Sequence, residues 1–164
     1  MWPRQTAREF KRRRGRGNRR AFRAVVAAGP PPGVLAYADG EPVGWCAVAP
    51  RSAFARLATS RVMAPVDDAA VWSVVCFYVA RGYRGRGLTV RLLREAVGLA
   101  HRLGARIVEG YPVDSRGQRT ADVFVWTGLV GTFREAGFRE VLRRSPARPI
   151  MRLPLRTAPS NPRP

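Results

Sequence analysis

A short turn rich in glycine and arginine carries the clearest chemical signal in the sequence. It reads Arg84-Gly85-Arg86-Gly87 and stands between an apolar run that ends at Val79 and an amphipathic segment that starts at Leu88. A strand, a turn and a helix in this order aim unpaired backbone N–H groups and the positive helix end at one point. Glycine lets a ligand approach the backbone closely, and arginine donates well to phosphate oxygens. The turn therefore predicts a site for a pyrophosphate.

Two other phosphate-binding turns fit this spacing less well. A P-loop needs lysine and then serine or threonine after its last glycine, but Leu88 and Thr89 follow Gly87. A dinucleotide-binding turn needs a third glycine where Val90 stands, although Glu109 lies where a ribose-binding acid is expected. The chain after the turn is also too short for the remaining strand and helix units of that fold. The dinucleotide interpretation stays open only as a partial match.

The other reactive side chains form no recognisable constellation. Cys46 and Cys76 lie in apolar runs, where free cysteine usually behaves as a small buried hydrophobe. The single histidine, His101, falls on the polar side of a helix end, with no visible link to Cys76. Because one histidine and two separated cysteines do not have the spacing of a ligand set, we predict no metal.

Hydrophobic periodicity predicts the elements that position the turn. Asp39-Gly40 separates two strand-like runs and predicts a tight hairpin. Val71 to Val79 predicts a buried central strand, and Leu88 to Leu103 predicts an amphipathic helix. A second strand, Arg106 to Tyr111, follows this helix, so the three segments are expected to form one β-α-β unit.

The C-terminal part is predicted to contain one helix and two strands. Thr127 is the predicted N-cap of a helix that stops at Gly137. Strands are predicted over Phe138 to Arg143 and Ile150 to Leu155. Residues 156–164 are rich in proline and are predicted to be a disordered tail.

The turn and a second motif together resemble the GCN5-related N-acetyltransferases, the GNAT superfamily. Arg84-Gly85-Arg86-Gly87-Leu88-Thr89 resembles the family's Arg/Gln-x-x-Gly-x-Gly/Ala signature. Phe133-Arg134-Glu135-Ala136-Gly137-Phe138 is similar to the family's late junction between a helix and a strand. The resemblance covers Val34 to Leu155, the predicted acetyltransferase core. It implies a single-domain α/β fold with a mixed, mostly antiparallel twisted sheet and flanking helices.

The resemblance implies that acetyl-CoA donates an acetyl group to an amine, which attacks the thioester directly in a ternary complex. The backbone of Phe77 and Val79 would pair with the pantetheine arm like an added strand. The pyrophosphate would be held by Arg84, Gly85, Arg86, Gly87 and Thr89. Thr89 replaces the usual glycine or alanine, but its hydroxyl can cap a helix or contact phosphate. Phe133 is the more serious departure, because many members use a tyrosine there to protonate the departing thiolate.

Glu109 and Tyr111 are the predicted catalytic residues. An acceptor ammonium with a pKa of ~10.4, as in lysine, must lose a proton before it attacks. The two residues lie two apart on one strand and so point to one face, which in this fold could be the acceptor cleft. We assign Glu109 as the base and Tyr111 as the proton donor to the thiolate. The alternative, in which Glu109 pairs with an arginine and Tyr111 packs in the core, stays open.

The acceptor is predicted to be a small-molecule or peptide amine, but its identity is not fixed by the sequence. The polar segment Asp114 to Trp126, rich in turn residues, is the predicted acceptor loop. Four strand or loop aromatics could line a pocket, although such residues more often belong to the core. They are Trp45, Trp72, Tyr78 and Trp126.

The charge pattern raises an alternative function. The formal net charge is +19, yet Lys11 is the only lysine among 30 basic residues, which indicates a coding bias toward arginine more than a selected cationic surface. Residues 1–33 are predicted to be a basic helical segment of the same domain. Its clusters Arg12-Arg13-Arg14 and Arg19-Arg20 support one alternative to catalysis, a basic nucleic-acid-binding module. Phe133 supports another, a non-catalytic module that binds acyl-CoA. Nucleic acid is not the expected partner.

The sequence also limits where the protein is expected to act. No apolar run approaches the ~20 residues of a membrane-spanning helix. The N-terminus is too basic and too polar for a signal sequence. We therefore predict a cytoplasmic protein that does not contact a membrane. Its oligomeric state is left open, with a homodimer as one candidate.

Overall fold

The computed structural model describes residues 2–115 and 125–155, in which six strands form one sheet. The strands are β1 (Gly33–Ala38), β2 (Glu41–Pro50), β3 (Trp72–Val79), β4 (Ile107–Gly110), β5 (Arg139–Arg143) and β6 (Pro149–Pro154). The helices are α1 (Ala7–Arg13), α2 (Arg16–Ala28), α3 (Ala55–Ala58), α4 (Leu88–Arg102) and α5 (Val130–Glu135). The strand order is β1-β2-β3-β4-β6-β5, and every neighbouring pair is antiparallel except β3 and β4. The predicted fold class is therefore confirmed.

The hairpin between β1 and β2 is the element that the sequence predicted most directly. Asp39 has a φ of 51° and Gly40 a φ of 80°, the two positive values that a tight two-residue turn requires. Pro42 pairs with Tyr37 beside a register shift, so its missing N–H falls at an irregular point of the ladder. The predicted hairpin is thus confirmed, and it places β1 at one edge of the sheet.

Helix α4 connects β3 to β4 and covers one face of the sheet. Helical spacing predicted a buried face that includes Leu92, Leu93, Ala96, Ala100 and Leu103, but Leu103 is 39 % exposed. The buried residues of the helix are Val90, Leu92, Leu93, Ala96 and Ala100. They pack with Cys46, Val48 and Val74 in the larger of two core clusters. Because β3 and β4 are parallel, the predicted β-α-β unit is confirmed. The second core cluster lies against the other face and includes Phe54, Leu57, Tyr111 and Ile150.

The N-terminal segment, which was predicted to be helical, forms two helices. A capping box links Thr6 and Glu9 at the start of α1, and Gly15, with a φ of 52°, separates α1 from α2. Neither helix has a fully buried residue. Nine basic side chains of the segment are exposed: Arg8, Lys11, Arg12, Arg13, Arg14, Arg16, Arg19, Arg20 and Arg23.

The prediction that Thr127 caps α5 is wrong. The helix begins at Val130, with Leu129 at the N-cap position. The Thr127 hydroxyl instead accepts a hydrogen bond from Arg148 Nη1 at 2.9 Å. Arg148 also donates to the Tyr111 carbonyl at 2.9 Å, so the hydroxyl serves a contact between distant segments. A local sequence pattern cannot reveal such a partner.

Some predictions fall outside the residues that the structure describes. The tail over residues 156–164 does so entirely, and the acceptor loop does so for residues 116–124. The proposed division at residues 33 and 155 stays a prediction. In the described part of the chain, no helix has the length and apolar character needed to cross a membrane.

Candidate active site

The glycine-rich turn joins the end of β3 to the start of α4. After a single 3-10 turn over Arg81–Tyr83, Gly85 and Gly87 adopt φ values of 71° and 72°. A Cβ added to either glycine would meet no atom within 4 Å. Glycine is therefore required there by the backbone conformation and not by packing, and the space beside the turn stays open to a ligand.

The first turn of α4 opens onto this space. Gly87 occupies the N-cap position, and no side chain caps the helix. The first N–H groups of a helix have no partner within it, and the aligned peptide dipoles make this end positive. The exposed Arg84 and Arg86 flank the turn, with the Arg86 guanidinium 5.8 Å from the centre of the Tyr83 ring. The turn thus offers backbone and guanidinium donors to an anion.

A cleft of about 390 Å³ lies beside the turn. Its walls are the end of β3, the turn, the first residues of α4, and the segment that leads into α5. Five of the seven residues predicted to bind the cofactor line it: Phe77, Val79, Arg84, Gly85 and Thr89. Arg86 and Gly87 belong to the same turn but do not line the cleft. The remaining lining residues are Tyr78, Val125, Trp126, Gly128, Leu129 and Thr132.

The strands β3 and β4 pair over only three residues each, 72–74 with 108–110. Beyond this point the segment Val125 to Leu129, which leads into α5, lies between β3 and the residues that follow β4. The Phe77 N–H donates to the Trp126 carbonyl at 2.7 Å, and the Val113 N–H donates to the Gly128 carbonyl at 2.8 Å. The segment therefore bridges the gap from both sides.

These contacts affect the two backbone positions that were predicted to pair with a pantetheine arm. Besides the bond from Phe77 to Trp126, the Val79 carbonyl accepts a hydrogen bond from Arg84 Nε at 2.9 Å. An arm that pairs with this edge of β3 must replace one or both of these hydrogen bonds. The cleft is thus present, but two backbone groups on its strand edge, the Phe77 N–H and the Val79 carbonyl, already have hydrogen-bond partners within the protein.

Phe133, which stands where many family members have tyrosine, is a core residue. It is fully buried and packs edge to face on Phe77 and on Phe138, with ring centres 6.1 Å and 5.0 Å away. A Cβ added at Gly110 would lie 2.6 Å from Phe133 Cζ, so the absence of a side chain at Gly110 makes room for the ring. Phe133 does not line the cleft, and its ring supplies no proton donor.

Glu109 and Tyr111 are brought together, but in a buried network. Glu109 is 0 % exposed and Tyr111 is 1 % exposed. The Tyr111 hydroxyl donates to Glu109 Oε1 at 2.6 Å and accepts from Arg51 Nη1 at 2.6 Å. Ser73 Oγ lies 2.9 Å from the same hydroxyl. On the other side of the carboxylate, Arg152 Nε donates to Glu109 Oε2 at 2.7 Å.

This network has the properties of a structural ion-pair cluster. Arg51 and Arg152 contact opposite oxygens of Glu109, and a carboxylate is costly to bury without such partners. Burial, and then the charge of Glu109, raises the pKa of Tyr111, so the phenol stays protonated at neutral pH. Neither residue lines the cleft beside the turn. The contacts match the alternative interpretation, and the catalytic assignment of both residues stays a prediction.

The two thiols have environments typical of structural cysteine. Cys46 is buried, and burial raises the pKa of its thiol well above the ordinary value. Burial also raises the pKa of Cys76. A nucleophilic cysteine needs the opposite shift, because the thiolate is the reactive form. The interpretation of Cys76 as a structural residue is therefore supported.

Two aromatic residues of the cleft were given too little weight by sequence reasoning. Tyr78 is 57 % exposed and Trp126 is 37 % exposed, and both line the cleft. The available signal was position, because Tyr78 lies beside Val79, at the end of the strand that leads into the turn. Thr132 and Leu129 also line the cleft, but no sequence pattern brought the start of α5 to this place.

Comparison with known proteins gives a family match and several matches of fold. The family model described as acetyltransferase (GNAT) family matches residues 2–122. A ribosomal-protein-alanine N-acetyltransferase from Brucella melitensis has 17 % identity and a TM-score of 0.55, covering 84 % of this chain and 77 % of that one. The structure of yncA from Salmonella typhimurium with its cofactor acetyl-CoA has 16 % identity and a TM-score of 0.55, covering 87 % and 75 %.

A third solved structure, a GNAT-family acetyltransferase from Streptococcus agalactiae, has 12 % identity and a TM-score of 0.53, covering 85 % of this chain and 72 % of that one. A sequence comparison with curated proteins gives no match. At these identities the solved structures establish the fold alone. The family match ends before Phe133, so the motif from Phe133 to Phe138 still rests on resemblance.

Proposed function

Because this chain belongs to the acetyltransferase (GNAT) family, we propose that it binds acetyl-CoA in the cleft beside the glycine-rich turn and transfers the acetyl group to an amine. The transfer proceeds by direct attack of the amine in a ternary complex. The observation that carries this proposal is the cleft at the N-terminal end of α4, which is lined by five of the residues that the resemblance assigned to the cofactor.

The residues around the cleft fit the chemistry of acetyl-CoA. Its pyrophosphate would lie at the turn, where Gly85 keeps the backbone accessible and Arg84 and Thr89 contribute polar atoms. Its pantetheine arm would lie along the edge of β3 at Phe77 and Val79. When bound, acetyl-CoA supplies an activated thioester whose acyl carbon forms a C–N bond with the amine as the C–S bond breaks.

Two proton transfers accompany the attack of the amine on the thioester. The amine must release a proton and the thiolate must take one up, and water in the open cleft can serve both steps. Of the two tyrosines near the diverging strands, only Tyr78 lines the cleft. Tyr78→Phe should therefore be compared with Glu109→Gln and Tyr111→Phe in a thiol-release assay over amine classes. If Glu109→Gln and Tyr111→Phe lose turnover while Tyr78→Phe retains it, Glu109 as the base and Tyr111 as the proton donor would be supported.

Calorimetry tests the binding half of the proposal. The wild-type protein should bind acetyl-CoA with a 1:1 stoichiometry. Gly85→Ala places a Cβ on a residue with positive φ, which costs ~1–2 kcal/mol, and we expect Kd to rise ~10-fold or more as the turn distorts. Gly82→Ala is the matched control, because Gly82 lies in the 3-10 turn just before the glycine-rich turn, has open space and lacks a positive φ. Equal effects of the two substitutions would contradict a role for the turn.

The alternative module is tested in the same experiment. A short DNA duplex is titrated at two salt concentrations, because phosphate contacts weaken steeply with salt. Duplex binding without acetyl-CoA binding would overturn the proposed enzyme. Acetyl-CoA binding without turnover on any amine would instead support a non-catalytic acyl-CoA-binding module.

A further inference from the structure

A second cavity lies on the face of the sheet opposite α4. It has a volume of about 530 Å³ and lies between α2, the connection from α2 to β1, and the hairpin. We call it the apolar groove. Its lining residues are Phe22, Val26, Gly29, Pro31, Pro32, Gly33, Leu35 and Trp45. None of these described lining residues carries a charge, although the whole chain has a net charge of +19.

The indole of Trp45 lines the apolar groove and is held in place from two sides. The Phe22 ring packs edge to face on it, with ring centres 6.0 Å apart. Across the strand pair, a Cβ added at Gly33 would lie 2.6 Å from Trp45 Cη2, so only glycine leaves room for the indole. The groove is therefore built by specific contacts and does not result from loose packing.

The apolar groove continues to the cleft beside the glycine-rich turn. In the register of the sheet, Leu35 pairs with Trp45, and Trp45 pairs with Tyr78. Residues paired in this way point to the same face, and their Cβ atoms lie ~5 Å apart. Leu35 and Trp45 line the groove, whereas Tyr78 lines the cleft. A row of three cross-strand partners, Leu35, Trp45 and Tyr78, thus leads along one face of the sheet from the groove to the cleft.

From this continuity we infer that the apolar groove binds the body of the acceptor, and that the acceptor is a primary amine with an aromatic or aliphatic group. The inference rests on the proposed function. The amine would extend past Tyr78 toward the thioester, while its apolar part is removed from water by Phe22, Leu35 and Trp45. Polyamines would bind poorly, because the groove offers no acidic partner and the net positive charge repels them.

Steady-state kinetics with saturating acetyl-CoA tests the substrate class. Linear alkylamines from ethyl to hexyl, phenylethylamine, phenylbutylamine and spermidine are compared. We expect kcat/KM to rise ~3- to 4-fold for each added CH₂ that the groove can bury, and spermidine to be the poorest substrate. A flat series, or a preference for spermidine, would overturn the inference while leaving the proposed acetyl transfer intact.

Two alanine substitutions test whether the apolar groove is the cavity that binds the amine. Leu35 is 50 % exposed, so Leu35→Ala should fold, and we expect it to raise KM for phenylbutylamine ~10-fold with unchanged kcat and unchanged Kd for acetyl-CoA. Leu103→Ala is the control, because Leu103 is 39 % exposed at the end of α4, away from the groove. Equal effects of the two substitutions would contradict the inference.

A binding measurement keeps the inference testable even if no amine is acetylated. Phenylbutylamine is titrated while tryptophan fluorescence is followed in the wild type and in Trp45→Phe. Saturable quenching that Trp45→Phe abolishes would support the groove as an amine site, and absence of saturable binding would overturn it. Light scattering tests the competing occupant. A dimer that Leu35→Ala dissociates would overturn the inference, because a second copy of the chain would then cover the groove.

Discussion

At the scale of single residues, Tyr111 illustrates how surroundings decide what a side chain can do. Its hydroxyl links Glu109, Arg51 and Ser73 inside the protein. Burial and the neighbouring carboxylate raise its pKa. Because the folded-state pKa lies above the unfolded value of ~10, the contribution of this group to stability is complete below pH ~10 and is lost at higher pH. The residue is thus a neutral donor across the neutral range.

We predict that Tyr111→Phe lowers stability more than turnover. The substitution removes the hydroxyl that bridges Glu109 and Arg51, and the loss of hydrogen bonds to these charged groups should cost about 1–3 kcal/mol in urea unfolding at pH 7, although Arg51 still contacts Glu109 at 3.3 Å. Ser73→Ala removes a smaller part of the same network and should cost less, with kcat unchanged in both variants. A Tyr111→Phe protein of wild-type stability whose kcat falls ~100-fold or more would establish the catalytic assignment instead.

At the scale of elements, what could be predicted depended on how local the signal is. The hairpin at Asp39-Gly40 and the amphipathic α4 are specified by neighbouring residues, and both were predicted correctly. Thr127 was assigned wrongly, because its partner Arg148 lies 21 residues away. The contacts of Arg51 and Arg152 with Glu109 span 58 and 43 residues, and no periodic pattern encodes them. Predicted turns therefore located the cleft, but the pairing around Glu109 required the fold.

The segment between β3 and β4 makes a testable element-scale prediction. The hydrogen bond from the Phe77 N–H to the Trp126 carbonyl occupies the strand edge proposed for the pantetheine arm. Acetyl-CoA should therefore displace Trp126 and change its fluorescence, while protection of the Phe77 amide from hydrogen exchange is retained through the new partner. The fluorescence change should persist in Trp72→Phe and disappear in Trp126→Phe. An unchanged signal in Trp126→Phe would place the arm elsewhere.

At the scale of the whole molecule, composition gives the net charge but not how the charged residues are distributed around the cleft and the apolar groove. Basic residues cover α1 and α2, whereas the apolar groove beneath α2 has no charged residue among its described lining. The sequence left two roles open for Trp45 and Tyr78, in the lining of a pocket or, more commonly for strand aromatics, in the core. Only the register that aligns Leu35, Trp45 and Tyr78 reveals that they connect the groove to the cleft.

This distribution separates two effects of positive charge on acetyl-CoA binding. Arg84 lines the cleft and should act on the bound state, so Arg84→Gln should mainly raise koff. Arg12 and Arg13 are exposed on α1 and should act only through the long-range field, so replacing both with glutamine should lower kon slightly and leave koff unchanged.

Stopped-flow measurements at 0.1 M and 1 M NaCl distinguish the two effects, because the screening length falls from ~10 Å to ~3 Å over this range. The difference in kon between the wild type and the Arg12/Arg13 variant should vanish at high salt, whereas the effect of Arg84→Gln on koff should largely persist. Persistence of an α1 effect on koff at 1 M NaCl would mean that this helix contacts the cofactor directly, and that the positive surface belongs to the binding site itself.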